Sequence, residues 1–305
     1  MPDPSSRAWV VTGPTSGMGH RAALELAAHG TVVLVGRDRQ KLADVQAEIR
    51  SQGGESVPVV ADLSDIASVR RAAAEIVALN LPIGGVLNNA GIMPVKPSID
   101  VQGWDTTFTT NHLGPFAFTE ALIPHLADGT NIVFIVSAVE DIDRKPAYRA
   151  GYRGGRYISA EASGRGEWMP GGAKSYANNA YATSKQGGLA AVFSLAREFP
   201  RLHFRAIEPG VTPGTNLGRD MSPALRLVGN VMQPFARFMP YFSTPKVAGK
   251  MIAGVVTDAS DATGVYYDEK GHPMKASKQV SDPQFADRYI AETRALLATL
   301  PLNDE

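Results

Sequence analysis

The chain has 305 residues, 44% of them hydrophobic, and its 30 basic residues balance 30 acidic ones. A net charge of zero gives no general attraction to nucleic acid or to anionic membranes. The absence of cysteine excludes disulfides, thiolate nucleophiles and cysteine-ligated metal centres. The histidines show no metal-ligand spacing, so no metal site is expected. No signal peptide and no apolar run long enough for a membrane span is recognisable, which indicates a cytoplasmic protein.

Apolar runs and helical periodicity alternate from residue 8 to about residue 207. Such alternation is typical of an α/β fold, a doubly wound parallel sheet of the Rossmann type in a single domain. The ligand crevice of that architecture lies at the carboxyl ends of the strands. The predicted strands are 8–12, 31–36, 57–60, 85–88, 131–137 and 203–207. The predicted helices are 18–29, 39–51, 66–80, 104–126 with a bend or break at Pro115, 181–199 and 282–297.

A glycine-rich turn follows the first predicted strand. Its residues are Thr12, Gly13, Pro14, Thr15, Ser16, Gly17, Met18 and Gly19. Glycines let backbone N–H groups approach a pyrophosphate closely, and the next helix N-terminus adds partial positive charge. The spacing Gly-x-x-x-Gly-x-Gly differs from the common Gly-x-Gly-x-x-Gly, and a plain tight turn remains an alternative for the segment alone.

The second strand ends in Gly36-Arg37. Gly36 offers no carboxylate for ribose hydroxyls, whereas Arg37 would pair with a 2′-phosphate, so the turn favours NADP(H) over NAD(H). The alternative is a surface arginine that opens the next helix. Asp62-Leu63, at the end of the third strand, is placed to face the adenine, although Asp62 could equally be a helix cap.

Tyr181 and Lys185 stand four residues apart and project from one face of a helix. A tyrosine that exchanges protons near neutral pH needs a pKa below its usual value of about 10, and a nearby ammonium together with the positive nicotinamide of an oxidised cofactor would lower it. Alone, this pair is common on helix surfaces. Its meaning therefore depends on the other motifs.

Six motifs together resemble the short-chain dehydrogenase/reductase superfamily over residues 8 to 300. They are the turn 12–19, Asn88-Asn89-Ala90-Gly91, Asn111 in 111–114, Ser137, the pair Tyr181 and Lys185, and Pro209-Gly210. The turn Gly36-Arg37-Asp38, the segment 263–267 and the helix 282–297 are similar to the retinol dehydrogenase-like branch.

The resemblance implies a role for each matching residue. Tyr181 is the expected general acid/base, Ser137 binds the substrate oxygen, Lys185 binds the nicotinamide ribose, and Asn111 holds a water that links Lys185 to solvent. Asn88 shapes the central sheet. The expected cofactor contacts are Gly13, Thr15, Ser16, Gly17, Met18, Gly19, Arg37, Asp62, Leu63, Asn89, Ala90, Gly91, Tyr181, Lys185, Pro209, Gly210 and Thr212, with Thr215 as an alternative to Thr212.

Two segments depart from the compact family pattern. Residues 138–178 form an insertion before the catalytic helix, interpreted as a solvated loop beside the active-site mouth in preference to a nucleic-acid contact. Because it lies near a helix that the family uses for assembly, it could leave a monomer; otherwise we expect a homodimer. Residues 211–243 are expected to form an apolar substrate lid, with ordinary core packing as the alternative.

These features predict an NADP(H)-dependent oxidoreductase that transfers a hydride between the nicotinamide and a ketone, aldehyde or alcohol. The partner is expected to be a hydrophobic small molecule. Two alternatives stay open, a non-catalytic NADP(H) sensor and an epimerase or dehydratase on the same fold. Sensors of this kind usually lack the tyrosine or the lysine, and the epimerases have a different first turn and longer chains.

Overall fold

The computed structural model describes residues 7–212 and 241–301. Their centre is a seven-stranded parallel sheet in the order β3-β2-β1-β4-β5-β6-β7. This confirms the predicted doubly wound sheet. The strand order reverses between β1 and β4, and a ligand crevice opens at such a switch point. The strands are β1 (Ala8–Thr12), β2 (Thr31–Gly36), β3 (Ser56–Val60), β4 (Ile83–Asn88), β5 (Asn131–Ile135), β6 (His203–Ile207) and β7 (Val265–Tyr267).

Helices cover both faces of the sheet, so the central strands are mainly apolar on both sides, with the buried Arg205 of β6 as an exception. One core packs under α1, α2 and α9, and the other under α3, α5, α8 and α10. The helices are α1 (Gly17–Leu26), α2 (Arg39–Ser51), α3 (Ile66–Ala78), α4 (Thr106–Phe108), α5 (Gly114–Leu122), α6 (Lys145–Arg149), α7 (Ala160–Gly164), α8 (Tyr176–Glu198), α9 (Pro245–Val256) and α10 (Pro283–Leu297).

Several predicted boundaries were wrong by a few residues. The helix predicted from 181 begins five residues earlier, because the Ser175 hydroxyl accepts from the backbone N–H of Asn178 and caps it there. The strand predicted to reach 137 ends at Ile135. The three residues of β7 were not predicted as a strand, because so short a run at a sheet edge gives little periodicity.

The predicted helix 104–126 is divided. A π-helical turn, Thr109–Leu113, lies between α4 and α5, and the backbone N–H of Gly114 bonds to the carbonyl of Thr109, five residues back. Pro115 then occupies the first turn of α5, where a missing N–H costs nothing. The proline is therefore accommodated by the π-turn, as the predicted bend or break required.

The insertion 138–178 is partly folded into the core, which corrects its interpretation as a solvated loop. It contains α6 and α7, and Tyr157 between them is fully buried. The Tyr157 ring stacks on Tyr289 of α10, with centroids 3.6 Å apart. An aromatic contact between residues so far apart in sequence leaves no local pattern. The insertion and the C-terminal helix thus cover α8 together.

Within residues 7–212 and 241–301, none of the helices combines the length and the apolar character that crossing a membrane requires.

Candidate active site

The glycine turn connects β1 to α1 at the switch point of the sheet. Gly13 has a φ of +67°, a conformation that side chains with a Cβ rarely adopt, and its N–H donates to the carbonyl of Val35 at 2.9 Å. A Cβ at Gly19 would lie only 2.2 Å from Nδ2 of Asn89, so the close approach of α1 requires glycine there. The Ser16 hydroxyl does not cap α1, although Ser16 is the N-cap residue. The turn leaves a helix N-terminus open toward the crevice.

Asn89 holds this turn in place. Its Nδ2 donates to the carbonyls of Thr12 at 2.9 Å and Gly13 at 3.2 Å. The Thr12 hydroxyl in turn accepts from the backbone N–H groups of Asn89 and Ala90. Asn88 instead points into the core, where its Nδ2 donates to the Thr119 hydroxyl at 2.8 Å. The side-chain amide of Asn89 thus maintains the conformation of the turn, a role that the motif alone did not predict.

The end of β2 presents an exposed cation beside the glycine turn. Arg37 forms no hydrogen bond or ion pair with the residues that the structure describes. Its neighbour Asp38 caps α2 by accepting from the backbone N–H of Lys41, so helix capping does not engage the arginine. A guanidinium in this position is free to meet an anionic group.

Asp62 and Leu63, which follow β3, make their contacts within the protein. The Asp62 carboxylate accepts from the backbone N–H and the hydroxyl of Ser64, while Asp65 caps α3. The alternative of Asp62 as a helix cap is therefore wrong. Leu63 is buried, and its carbonyl lies where a Cβ on Gly114 would stand. The side chains of both residues are engaged within the protein.

Tyr181 and Lys185 lie one turn apart on α8, and both are more than nine-tenths buried. The ammonium of Lys185 donates to the carbonyl of Ile135 at 2.8 Å, and it lies 5.4 Å from the centroid of the Tyr181 ring. Because Ile135 ends β5, this hydrogen bond holds the pair at the carboxyl edge of the sheet. Burial lowers the pKa of Lys185 to about 8, which leaves it mostly charged at neutral pH.

Asn111 approaches this pair from the π-turn. Its Oδ1 accepts from the N–H of Ile92 at 2.8 Å, and its Nδ2 donates to the Ile92 carbonyl at 2.9 Å. A Cβ built on Gly91 would stand 3.3 Å from Oδ1 of Asn111 and 3.5 Å from Nζ of Lys185. The structure therefore brings Gly91, Asn111 and Lys185 together.

The protein by itself raises the pKa of Tyr181, whereas the lowered value expected from the sequence includes the charge of an oxidised nicotinamide. Burial is the largest cause, and the nearby Tyr152 and Glu208 act in the same direction. The ammonium of Lys185 lies against the ring and favours the phenolate, but burial dominates, so the phenol is protonated at neutral pH. The neutral phenol is the form that donates a proton.

Ser137 lies beside a carboxyl group that the sequence did not identify. The N–H of Ala138 donates to Oε2 of Glu208, and the Ser137 hydroxyl also hydrogen-bonds this carboxyl group. Glu208 acts electrostatically on both Tyr181 and Lys185, which places Ser137 near that pair. A lone glutamate before Pro209 has no helical or strand spacing that would mark it as part of a site.

The insertion also brings a side chain to the site. Tyr152 donates to Sδ of Met93 at 3.4 Å, and its charge state is coupled to Tyr181 and Glu208. Burial raises the pKa of Tyr152 to about 12. Sequence reasoning recognised the insertion as aromatic but did not assign Tyr152 to the site, because its distance from the motifs hid this contact.

The segment after β6 returns to the glycine turn. The Thr212 hydroxyl donates to Sδ of Met18 at 3.4 Å, and Gly210 adopts a positive φ of +74°. Pro209 is buried just before it. The predicted lid 211–243 extends over residues 213–240, and these, including the alternative Thr215, lie outside the described residues. At its far end Tyr241 pairs with Val211 through a backbone hydrogen bond of 2.8 Å.

Comparison with known proteins agrees with this geometry. A family model described as short chain dehydrogenase matches residues 7–156. A short-chain dehydrogenase/reductase of Armillaria gallica is 28% identical over 297 residues, which cover 93% of this chain and 87% of that protein. The chain belongs to the short-chain dehydrogenase/reductase superfamily. It is therefore an enzyme of an oxidoreductase family whose members use nicotinamide cofactors.

Two further relatives show how far the similarity extends in sequence and in fold. The polyprenol dehydrogenase of Mus musculus is 34% identical over 150 residues, which cover 45% of this chain and 44% of the mouse protein. A short chain dehydrogenase from Burkholderia cenocepacia, solved in complex with NADP, has a TM-score of 0.65 at 21% identity, with 88% of this chain and 98% of that chain covered. The second comparison supports the fold.

Proposed function

We propose that this short-chain dehydrogenase/reductase is an NADP(H)-dependent enzyme that interconverts a carbonyl group and an alcohol, with Tyr181 as the proton donor or acceptor. The supporting observation is the buried pair on α8. Lys185 is fixed to the end of β5, next to the ring of Tyr181 and at the same edge of the sheet as the glycine turn. A bound nicotinamide supplies the hydride chemistry.

The residues around the glycine turn fit a dinucleotide phosphate. The α1 N-terminus and the uncommitted Ser16 hydroxyl offer donors to a pyrophosphate, and Gly19 lets the backbone approach. Arg37 is exposed and unpaired among the residues described, and it stands where a 2′-phosphate would need a cation. These features favour NADP(H) over NAD(H).

Three side chains have separate tasks in the proposed reaction. Tyr181 transfers the proton to the substrate oxygen during reduction and removes it during oxidation. Ser137 hydrogen-bonds the same oxygen, and Lys185 supplies a positive charge that favours the phenolate once the proton has left. Asn111 helps to order the backbone between β4 and α4 beside Lys185. Positioned acid/base catalysis of this kind contributes roughly 10²- to 10⁴-fold in rate.

The surroundings of Tyr181 favour an apolar substrate. Tyr152 and Met93 lie on the insertion side of the site, and Arg144 of the insertion stacks over the ring of Tyr241, 5.0 Å from its centroid. The insertion and the end of the predicted lid therefore meet at one rim with aromatic side chains. A rim of this kind suits a hydrophobic ketone, aldehyde or alcohol.

The decisive experiment follows NADPH oxidation against a panel of ketones, aldehydes and quinones, with NADH in parallel. We expect turnover of at least one hydrophobic carbonyl compound with a preference for NADPH. Tyr181→Phe serves as the matched variant, because it removes one hydroxyl and retains the ring. NADPH binding without turnover of any carbonyl compound by the wild-type enzyme would instead support a cofactor-sensing protein.

A further inference from the structure

Glu208 directly follows the last residue of β6, and its side chain faces α8. Ile135 and Ile207 are register partners and belong to the core under α1. Successive residues of a strand face opposite sides of the sheet, so Val136 and Glu208 face the other side, on which α8 packs. The N–H of Glu208 donates to the carbonyl of Tyr267 at 2.8 Å and holds this orientation. The carboxyl group is thus anchored below the helix that carries Tyr181.

The carboxyl group of Glu208 has two neighbours in one short segment. The N–H of Ala138 donates to its Oε2, and the hydroxyl of Ser137 hydrogen-bonds the same group. A serine hydroxyl has a single hydrogen to donate and lone pairs to accept with. That single hydrogen can therefore be donated either to Glu208 or to another acceptor, but not to both.

We propose that Glu208 is a positioning residue that sets the direction of the Ser137 hydroxyl hydrogen, and thereby whether Ser137 can donate to the substrate oxygen. This inference rests on the proposed function, in which Ser137 contacts that oxygen.

The two protonation states of Glu208 have opposite consequences. When Glu208 is neutral, its O–H donates to Ser137, and the serine hydrogen is free for a carbonyl oxygen, as reduction requires. When Glu208 is ionised, Ser137 donates to the carboxylate, and its hydrogen is withdrawn from the substrate oxygen. This slows reduction and oxidation alike, because both directions pass through the same transition state. Glu208 neither gains nor loses a proton during a turnover, since Tyr181 carries the transferred proton.

The surroundings of the carboxyl group favour the neutral form more than water does. Burial raises the pKa of Glu208, and Glu269 adds to this, while the N–H of Ala138, the Ser137 hydroxyl and Arg144 act against it. The titratable and charged groups around it come from the insertion, α8 and the β7 region. They are Glu140, Arg144, Tyr152, Tyr181, Lys185, Tyr266 and Glu269.

The test is the pH profile of kcat/KM for carbonyl reduction at saturating NADPH in the wild type and in Glu208→Gln. In the wild type, the rate falls as pH rises through the pKa of Glu208, because Ser137 then donates to the carboxylate. We expect a loss of roughly a hundred- to a thousandfold, the range for one lost oxyanion donor. Glu208→Gln does not titrate, and its amide N–H donates to Ser137 at every pH. This limb of the profile should therefore disappear.

Two further variants separate the role from a general effect of charge or folding. Glu269→Gln removes a carboxylate that lies near Glu208 and has no bond to Ser137, and it should only move the limb to lower pH. Ser137→Ala, which keeps Glu208, should lose the same limb, and adding Glu208→Gln to it should change the profile less than twofold. NADPH binding and the melting temperature report folding.

A Glu208→Gln profile that overlays the wild type would overturn the inference, as would a limb that persists in Ser137→Ala. Should Glu208→Gln fail to fold, the Ser137→Ala profile decides the question alone. Full activity of Tyr181→Phe would refute the proposed function instead, whatever the result for Glu208.

Discussion

The two sides of the crevice are built on different principles. On the glycine-turn side, Thr12, Gly13 and Asn89 form a network of backbone and amide hydrogen bonds that contains no charged group. On the α8 side, Tyr181 and Lys185 are buried and ionisable, and both have perturbed pKa values. A binding surface needs shape and fixed dipoles, whereas proton transfer needs groups whose charge changes. Substitutions on the two sides should accordingly separate binding from chemistry.

The largest effect is expected on the α8 side. Tyr181→Phe should reduce kcat by roughly 10²- to 10⁴-fold, because it removes the proton donor and keeps the ring. NADPH affinity should change little, since the glycine turn is untouched. Steady-state rates and fluorescence titration with NADPH measure the two quantities. Wild-type turnover in this variant would reject the assignment of Tyr181.

Lys185→Ala should slow the reaction and move the pH profile of alcohol oxidation to higher pH. Oxidation needs the phenolate of Tyr181, and without the nearby ammonium the pKa of the phenol rises further. In the wild type this support weakens above about pH 8, where Lys185 itself loses its proton. Lys185→Arg, which keeps a permanent positive charge, should restore part of the profile. An unchanged profile in Lys185→Ala would argue against pKa tuning.

A smaller effect, confined to binding, is expected on the glycine-turn side. Arg37→Ala should weaken NADPH by roughly 1.5–3 kcal/mol, the value of a hydrogen bond to a charged group, and weaken NADH much less. Calorimetric titration with both cofactors measures the difference. Arg50→Ala, an exposed arginine at the other end of α2, is the matched control. Equal losses for both cofactors would exclude a 2′-phosphate contact.

The smallest effect concerns the oligomeric state. We expect the sedimentation mass of the protein to stay the same on dilution. Of the 23 residues of α8, 17 are buried within the chain, and α10 is joined to it by the Ser194 hydroxyl, which donates to Asp287 at 2.7 Å. The insertion and α10 therefore cover the helix that the family uses for assembly. Sedimentation should give the mass of one chain, 32.5 kDa. A tetrameric mass would contradict this expectation.

Local patterns predicted the sheet well and the insertion poorly. The six longer strands and the glycine turn have short-range signatures, namely apolar runs and glycine at fixed spacing. The burial of Tyr157 depends on Tyr289, and the role of Tyr152 depends on Met93, so neither is visible within one window of sequence.

The site was predictable to a similar extent. Tyr181, Lys185 and Asn111 carry spacing or motif information, and the structure brings them together with Gly91. Glu208 was missed because its significance arises only when β6 lies beside β5. The raised pKa of Tyr181 in the protein by itself was also not predicted, because desolvation depends on packing that composition does not reveal.

The π-helical turn at Thr109–Leu113 contains one more residue than a regular helical turn would need. Each residue of an α-helix advances the side-chain direction by about 100°. Removal of one residue, such as Thr110, would force α4 and α5 into one regular helical register, in which Pro115 would stand in the interior of a helix without an N–H to donate. The same deletion would rotate Asn111 away from Ile92 and leave two backbone polar groups without their partner. The irregular turn thus interrupts the regular helical hydrogen bonding and directs the side-chain amide of Asn111 toward Ile92.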